Sequence, residues 1–284
     1  MSAPEAVAPV AAPGAKPLQG QVALVTGAGR GIGVAIARDL AQRGADVALL
    51  DLQAPEEVAA LIAQQCGVRT LAVGADVSDE AAMGAACTRA AEGLGPVTVL
   101  VNNAGVMQRV SADHHTLPAS DLQHMLAVHV GGTAIACAAV LPGMRARGFG
   151  RIVNLSSVIG LVGLQRRTAY STAKAAIAGL TRGLALENGR RGITVNAVAP
   201  GYVLTEVLRE KMRLGTLDYA LFAERAAVGR WAEPHEIARV VGFLAEPGSG
   251  FITAAIWPVD GGYAANGNPG ESLGPLAAQD DLPA

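Results

Sequence analysis

The chain has 284 residues, a formal net charge of -2, 51% apolar residues and 16% charged ones. That apolar share is enough for a sizeable core and lies well outside the disordered class. Lysines occur only at 16, 174 and 211 and the arginines are scattered, so the charge balance argues against nucleic acid as a partner.

In chain order, Met1–Pro17 is Ala/Pro-rich and has no basic segment followed by an apolar one, so residues 1–18 read as a disordered lead-in rather than a secretory signal. A strand over Val22–Thr26 leads through a glycine turn into a helix to about Arg43. Val47–Asp51 is the next strand and Pro55–Cys66 the next helix. Further strands are predicted at Thr70–Ala75, Val97–Val101, Arg151–Leu155, Ile193–Val198 and Ala255–Val259. Long Ala/Gly/Leu-rich helices are predicted over His114–Arg147 and Thr168–Arg190. Near-continuous apolar strands separated by helices indicate a parallel sheet covered on both faces. Right-handed crossovers then give a single α/β, Rossmann-type, doubly wound domain over residues 19–263. Residues 264–284 form a tail rich in Gly, Pro, Asn and Asp.

No uninterrupted apolar run reaches about 18 residues, so no membrane span is expected. Cys66, Cys87 and Cys137 make no C-x-x-C pair and no metal-ligand spacing, and no metal site is expected. They read as small buried hydrophobes in a reduced, cytoplasmic protein.

The first strand runs into TGAGRGIG, Thr26 to Gly33. Gly27, Gly31 and Gly33 let the chain turn tightly, approach a pyrophosphate and pack the helix on the sheet. The helix N-terminus supplies free N–H groups and a favourable dipole for the phosphates. The spacing is G-x-x-x-G-x-G, and its position between strand and helix gives it meaning. Asp51 ends the second strand, where an acid accepts bonds from the adenosine ribose and repels a 2′-phosphate, which favours NAD over NADP. Arg30, inside the turn, would instead meet a 2′-phosphate. Asp76 ends the third strand, as an acceptor for the adenine amino group or as a helix cap, although Ser78 and Asp79 fit the cap better.

Tyr170 and Lys174 lie one helical turn apart in AYSTAKAAIAGL, on one face. A free phenol has a pKa near 10, and a nearby ammonium lowers it toward the range useful for acid/base work. Lys174 can also reach ribose hydroxyls. Ser157 closes the fifth strand, where ligands of a doubly wound sheet sit, and can hydrogen-bond a substrate oxygen.

Taken together, TGAGRGIG at 26–33, Asp76–Val77, NNAG at 102–105, Ser157, Tyr170-x-x-x-Lys174, Pro200-Gly201 with Thr205, and VDGG at 259–262 resemble the classical short-chain dehydrogenase/reductase family. The resemblance runs from about Gln21 to Tyr263. It implies a seven-stranded sheet of order 3-2-1-4-5-6-7, hydride transfer at the nicotinamide and usually a homotetramer, for which the two long helices would supply contacts. By the same resemblance Ile32 lies beside the phosphates. Val77, Asn103, Ala104, Gly105 and Val203 line the cofactor, Asn102 and Gly105 belong to the segment that closes the adenine side, and Pro200, Gly201 and Thr205 belong to the segment that holds the nicotinamide carboxamide. The expected activity is hydride transfer between NAD(H) and a mainly apolar secondary alcohol or ketone.

Two positions depart from the family pattern. His129 stands where an Asn supports a proton relay behind the lysine. It keeps the relay through its backbone carbonyl, brings an imidazole into it, or only packs. Ala254 stands where the family often has Gly, read as a mild change. The pocket is expected between 106–109, 158–167 and the segment after Thr205, whose Val207, Leu208, Met212 and Leu214 form a lid or pack on the domain.

Overall fold

The β-branched runs become strands of one sheet sandwiched between helices, the central ones buried on both faces. The computed structural model describes residues 16–266. In chain order the strands are β1 (Val22–Thr26), β2 (Asp46–Asp51), β3 (Thr70–Gly74), β4 (Val99–Asn102), β5 (Gly150–Leu155), β6 (Ile193–Pro200) and β7 (Ile256–Val259). The helices are α1 (Gly31–Gln42), α2 (Glu56–Cys66), α3 (Glu80–Leu94), α4 (Ala119–Met125), α5 (Gly132–Arg147), α6 (Val158–Val162), α7 (Thr168–Asn188), α8 (Glu206–Arg213), α9 (Tyr219–Ala223) and α10 (Pro234–Ala245). All seven strands are parallel, in the order β3-β2-β1-β4-β5-β6-β7.

Alternate residues of each strand face opposite layers. Ala23, Val25, Val47, Leu49, Val99 and Val101 pack with α1, α2 and α10. Val22, Leu24, Ala48, Leu50, Leu100 and Ile152 pack on the other side with α3 and α5. The order reverses between β1 and β4, which pair through Ala23–Val99, Leu24–Leu100 and Val25–Val101. That reversal opens a crevice at the carboxyl ends of the strands.

The predicted helix over His114–Arg147 is broken. His114–Thr116 is a single 3₁₀ turn, and Leu117 is extended before Pro118, a residue that disfavours helix in its predecessor. α4 then passes into α5 through a π-helical turn, Leu126–Gly131. By length and composition the stretch Ala119–Arg147 is apolar enough to cross a membrane. Here the α5 part is a core helix, with Ala136, Cys137, Val140, Leu141 and Met144 buried against the sheet. α7 stops at Asn188 and continues as a 3₁₀ turn, Gly189–Arg191.

The lead-in up to residue 15 and the tail beyond 266 lie outside the described residues. Leu18, placed in the lead-in by the sequence, belongs to the fold. It is fully buried, and its N–H donates to the Arg43 carbonyl at 2.9 Å.

Candidate active site

The glycine turn sits at the carboxyl end of β1, inside the crevice. Gly27 has φ +64°, and a Cβ there would lie 2.8 Å from the Ala104 Cα. A Cβ on Gly33 would run into the Gly27 carbonyl, so the helix–strand junction closes only without side chains. Asn103 fastens the two loops. Its Nδ2 donates to the carbonyls of Thr26 at 3.0 Å and Gly27 at 2.9 Å. Thr26 Oγ1 in return accepts from the N–H groups of Asn103 and Ala104, both at 3.0 Å. The sequence fits Thr26 and Asn103 into the cofactor segments without revealing that they lock those segments together.

Asp51 reaches back to the turn, where its Oδ2 accepts from the Gly29 N–H at 2.8 Å and its Oδ1 from the Leu52 N–H at 2.8 Å. Arg30 is exposed beside it as the N-cap residue of α1, a helix with no side-chain cap of its own. A cleft of about 460 Å³ opens here, lined by Gly29, Arg30, Gly31, Arg38, Glu206 and His235 among others. The side-chain-free turn and the uncapped N–H groups of α1 fit a pyrophosphate, and Asp51 fits a ribose diol. Ile32 is half-buried behind the turn. Thr205 closes the far side, its Cγ2 3.4 Å from where a Gly31 Cβ would stand. Pro200 ends β6, Gly201 donates to the Val259 carbonyl at 3.0 Å, and Val203 is buried and bridged to Ala232. Asp76 is exposed, and its Oδ1 accepts from the N–H and hydroxyl of Ser78 at 2.8 and 2.7 Å, contacts that hold its carboxyl below its ordinary range. Asp79, rather than Asp76, caps α3. Val77 is buried in the core beside α3.

The structure brings Ser157, Tyr170 and Lys174 together. Ser157 caps α6, its Oγ accepting from the Ile159 N–H at 3.2 Å. The neighbouring Ser156 Oγ donates to the Lys174 carbonyl at 2.8 Å, which fixes α7 against the end of β5. Lys174 is buried, donates from Nζ to the Leu155 carbonyl at 2.8 Å, and lies 5.8 Å from the centre of the Tyr170 ring. Burial pulls the ammonium down to about 8. The expected lowering of the Tyr170 phenol by Lys174 is not found in this structure. Burial raises the phenol above its ordinary value, and a hydrogen bond with Ser157 acts against that rise.

His129 lies in the π-helical turn with 3% exposure. Its ring meets the Tyr170 ring edge-on, centres 5.6 Å apart. Nε2 is 3.2 Å from the Val106 nitrogen and 2.9 Å from the Val106 oxygen, and Nδ1 is buried with no partner. One ring nitrogen cannot serve both Val106 groups at once, since it either donates or accepts. The His129 carbonyl accepts from Thr133 Oγ1 at 2.7 Å. Burial, then the Lys174 charge, pull the imidazole down to about 3. A group held this firmly neutral carries no positive charge near pH 7, so it contributes as a neutral imidazole, by packing, or through its backbone carbonyl. Gly105 is shaped by it, because a Cβ there would lie 2.9 Å from His129 Nδ1.

The pocket wall differs from its sequence reading. Val158, Ile159 and Leu164 do gather beside Tyr170, as expected. α8 buries none of its residues, and Val207 and Leu214 are exposed. The wall is completed by aromatic residues the sequence did not single out. Tyr202 stacks on Phe222 with centres 4.3 Å apart and leans on Trp231 at 5.0 Å and Tyr263 at 5.6 Å. The one available signal was composition, since the whole chain has only four Phe, two Trp and four Tyr. Gln108, assigned by the sequence to the pocket lining, instead turns inward and is 4% exposed.

Comparisons with known proteins agree with this geometry. A family model described as "Enoyl-(Acyl carrier protein) reductase" matches residues 27–264. The chain is 41% identical over 245 residues to a cis-4-hydroxycyclohexanecarboxylate dehydrogenase from Sinomonas cyclohexanicum, covering 86% of this chain and 97% of the relative. It is 42% identical over 253 residues to a galactitol 2-dehydrogenase (L-tagatose-forming) from Cereibacter sphaeroides, covering 87% and 96%. A crystal structure of levodione reductase superposes with a TM-score of 0.82 at 32% identity, covering 87% of this chain and 99% of that one. Sequence, sheet order and site geometry therefore converge, and the chain belongs to the classical short-chain dehydrogenase/reductase family, whose members are oxidoreductases that use a nicotinamide cofactor.

Proposed function

We propose that this protein transfers a hydride between NAD(H) and a mainly apolar secondary alcohol or ketone, with Tyr170 as the acid/base. The observation that carries the reading is that Ser157, Tyr170 and buried Lys174 come together at the carboxyl end of β5, with Lys174 Nζ 5.8 Å from the centre of the Tyr170 ring. Bound nicotinamide supplies or accepts the hydride. In the oxidation, Tyr170 Oη takes the proton of the substrate hydroxyl. In the reduction it returns that proton to the carbonyl oxygen. The Ser157 hydroxyl holds the same oxygen as charge develops on it. Lys174 keeps a positive charge next to the phenol. The aromatic and aliphatic wall of Val158, Ile159, Leu164, Tyr202, Phe222 and Tyr263 excludes water and takes the apolar body of the substrate.

NAD is preferred on the ground of the Asp51 carboxylate beside Gly29, where a 2′-phosphate would meet a negative charge. Arg30 and Arg38, both lining the same cleft, support the competing NADP reading. The apolar wall favours a ring such as that named for the hydroxycyclohexanecarboxylate relative over a polyol such as that named for the galactitol relative. Initial rates at 340 nm with NAD⁺ and NADP⁺, against cyclic alcohols and small polyols, test both choices. Faster turnover of cyclic alcohols with NAD⁺ is expected. Faster turnover of polyols, or with NADP⁺, would reverse the corresponding choice. A reducing cytoplasmic setting, a homotetramer, and the absence of nucleic-acid and membrane partners complete the proposal. Sedimentation as a monomer would contradict the assembly.

A further inference from the structure

Gln108 is buried in the loop after β4, and its hydrogen bonds tie that loop to the start of α7. Its Oε1 accepts from the Tyr170 N–H at 3.3 Å. Tyr170 is in the first turn of α7, where backbone N–H groups have no partner within the helix. The N-cap residue, Arg167, offers no side-chain cap, so a glutamine from a distant loop takes that part. The Gln108 Nε2 donates to the Val110 carbonyl at 2.7 Å and to the Arg166 carbonyl at 3.1 Å. Arg166 has φ +63°, one of two non-glycine residues in the left-handed region among the described residues. A side-chain-bearing residue holds that conformation only when its surroundings enforce it. Arg167 Nη1 closes the arrangement by donating to the Gln108 carbonyl at 3.1 Å.

We propose that Gln108 is a positioning residue for Tyr170. Its carboxamide donates one N–H to the left-handed turn at Arg166 and one to its own loop at Val110, and caps the Tyr170 N–H with its oxygen. The helix start, and with it the Tyr170 phenol beside Ser157, is thereby fixed against the loop after β4. The inference rests on Tyr170 being the acid/base. Only a carboxamide of this length meets the requirement. A carboxylate keeps the acceptor for Tyr170 but sets negative oxygen against two carbonyls, and a leucine of similar bulk supplies neither function.

Three substitutions separate the parts. Gln108→Leu removes cap and clamp, Gln108→Glu keeps the cap acceptor and loses both donors, and Arg166→Gly makes the turn free of strain without the clamp. Displacing a reacting group by about 1 Å costs on the order of 100-fold in rate. Titration with NADH by fluorescence counts folded sites, and kcat is expressed per site. Expected is a loss of kcat per site of roughly 10- to 100-fold in Gln108→Leu and a smaller loss in Gln108→Glu. NADH affinity should stay within about twofold, and the double variant Gln108→Leu/Arg166→Gly should regain part of the lost kcat. Wild-type kcat per site in Gln108→Leu overturns the proposal. So does a loss of kcat matched by an equal loss of NADH affinity with no recovery in the double variant, because that is the mark of general damage. Tyr170→Phe is measured alongside. If it stays active, the acid/base reading falls and the clamp with it. If it is inactive while Gln108→Leu is wild-type, the clamp alone falls.

Discussion

Replacing His129 by Asn should make the protein more tolerant of acid. The imidazole is held down to about 3 in the folded chain, mainly by burial, against an ordinary value of 6.5. Above pH 6.5 both the folded and the unfolded chain carry it neutral, and there is no penalty. Below pH 6.5 the unfolded chain binds a proton that the folded one refuses, so stability is lost as pH falls, until the folded group titrates near 3. Each pH unit within that window removes about 1.4 kcal/mol. Between pH 7 and pH 5 only the last 1.5 units count, so this one residue contributes a loss of about 2 kcal/mol. In a domain of this size that corresponds to roughly 4–8 °C in Tm. Asn carries no titrating group. Lys174, lowered to about 8, is protonated in both states across this range and drops out. The assay is thermal unfolding of wild type and His129→Asn at pH 7 and pH 5. Subtracting the two pH-induced drops cancels packing losses, such as the edge contact with Tyr170, that do not depend on pH. The wild-type drop should exceed that of the variant by several degrees. Equal drops would refute the claim that His129 is buried neutral.

Two other outcomes follow from particular residues. Ala254 adopts φ +61°, which an L side chain resists by about 1–2 kcal/mol, so Ala254→Gly should stabilise the protein by about 0.5–1 kcal/mol after glycine's entropic cost is subtracted. A fall in Tm for that variant would show that the Ala254 methyl contributes packing beyond the strain it causes. Because burial raises the Tyr170 phenol, alcohol oxidation, which needs the phenolate, should speed up as pH rises above neutrality, while ketone reduction, which needs the phenol, should hold steady at neutral pH and fall in alkali. Identical pH profiles for the two directions would contradict the assignment.

Much of the frame was legible from residue order. The buried strands, the glycine turn, and the Ser157, Tyr170 and Lys174 set all fell where local pattern puts them, because continuous apolar runs and helical spacing are short-range properties. The break in the helix after His114 was less visible. Pro118 signals it locally, but the π-helical turn accommodates the His129 ring between Gly105 and Tyr170, contacts distant in sequence. Gln108 shows the limit most clearly. A polar residue four positions after Ala104 reads as pocket lining, and only the fold brings the Tyr170 N–H and the Arg166 carbonyl to its two ends. Likewise Tyr202, Phe222, Trp231 and Tyr263 come from separate segments and meet only once β6, α9 and the chain after β7 are assembled. The balance at Tyr170 could not be read from spacing either. Four residues place Lys174 on the same face, but the Leu155 carbonyl decides where its ammonium points.

The most direct test of Tyr170 as the acid/base is turnover by Tyr170→Phe, set beside its affinity for NADH. The variant removes one oxygen and keeps the ring that packs against His129. The expected result is a loss of about 10²- to 10⁴-fold in kcat with NADH binding retained. Near-wild-type turnover in a variant that binds NADH normally would contradict the account, and the proton would have to be carried by another group in the site.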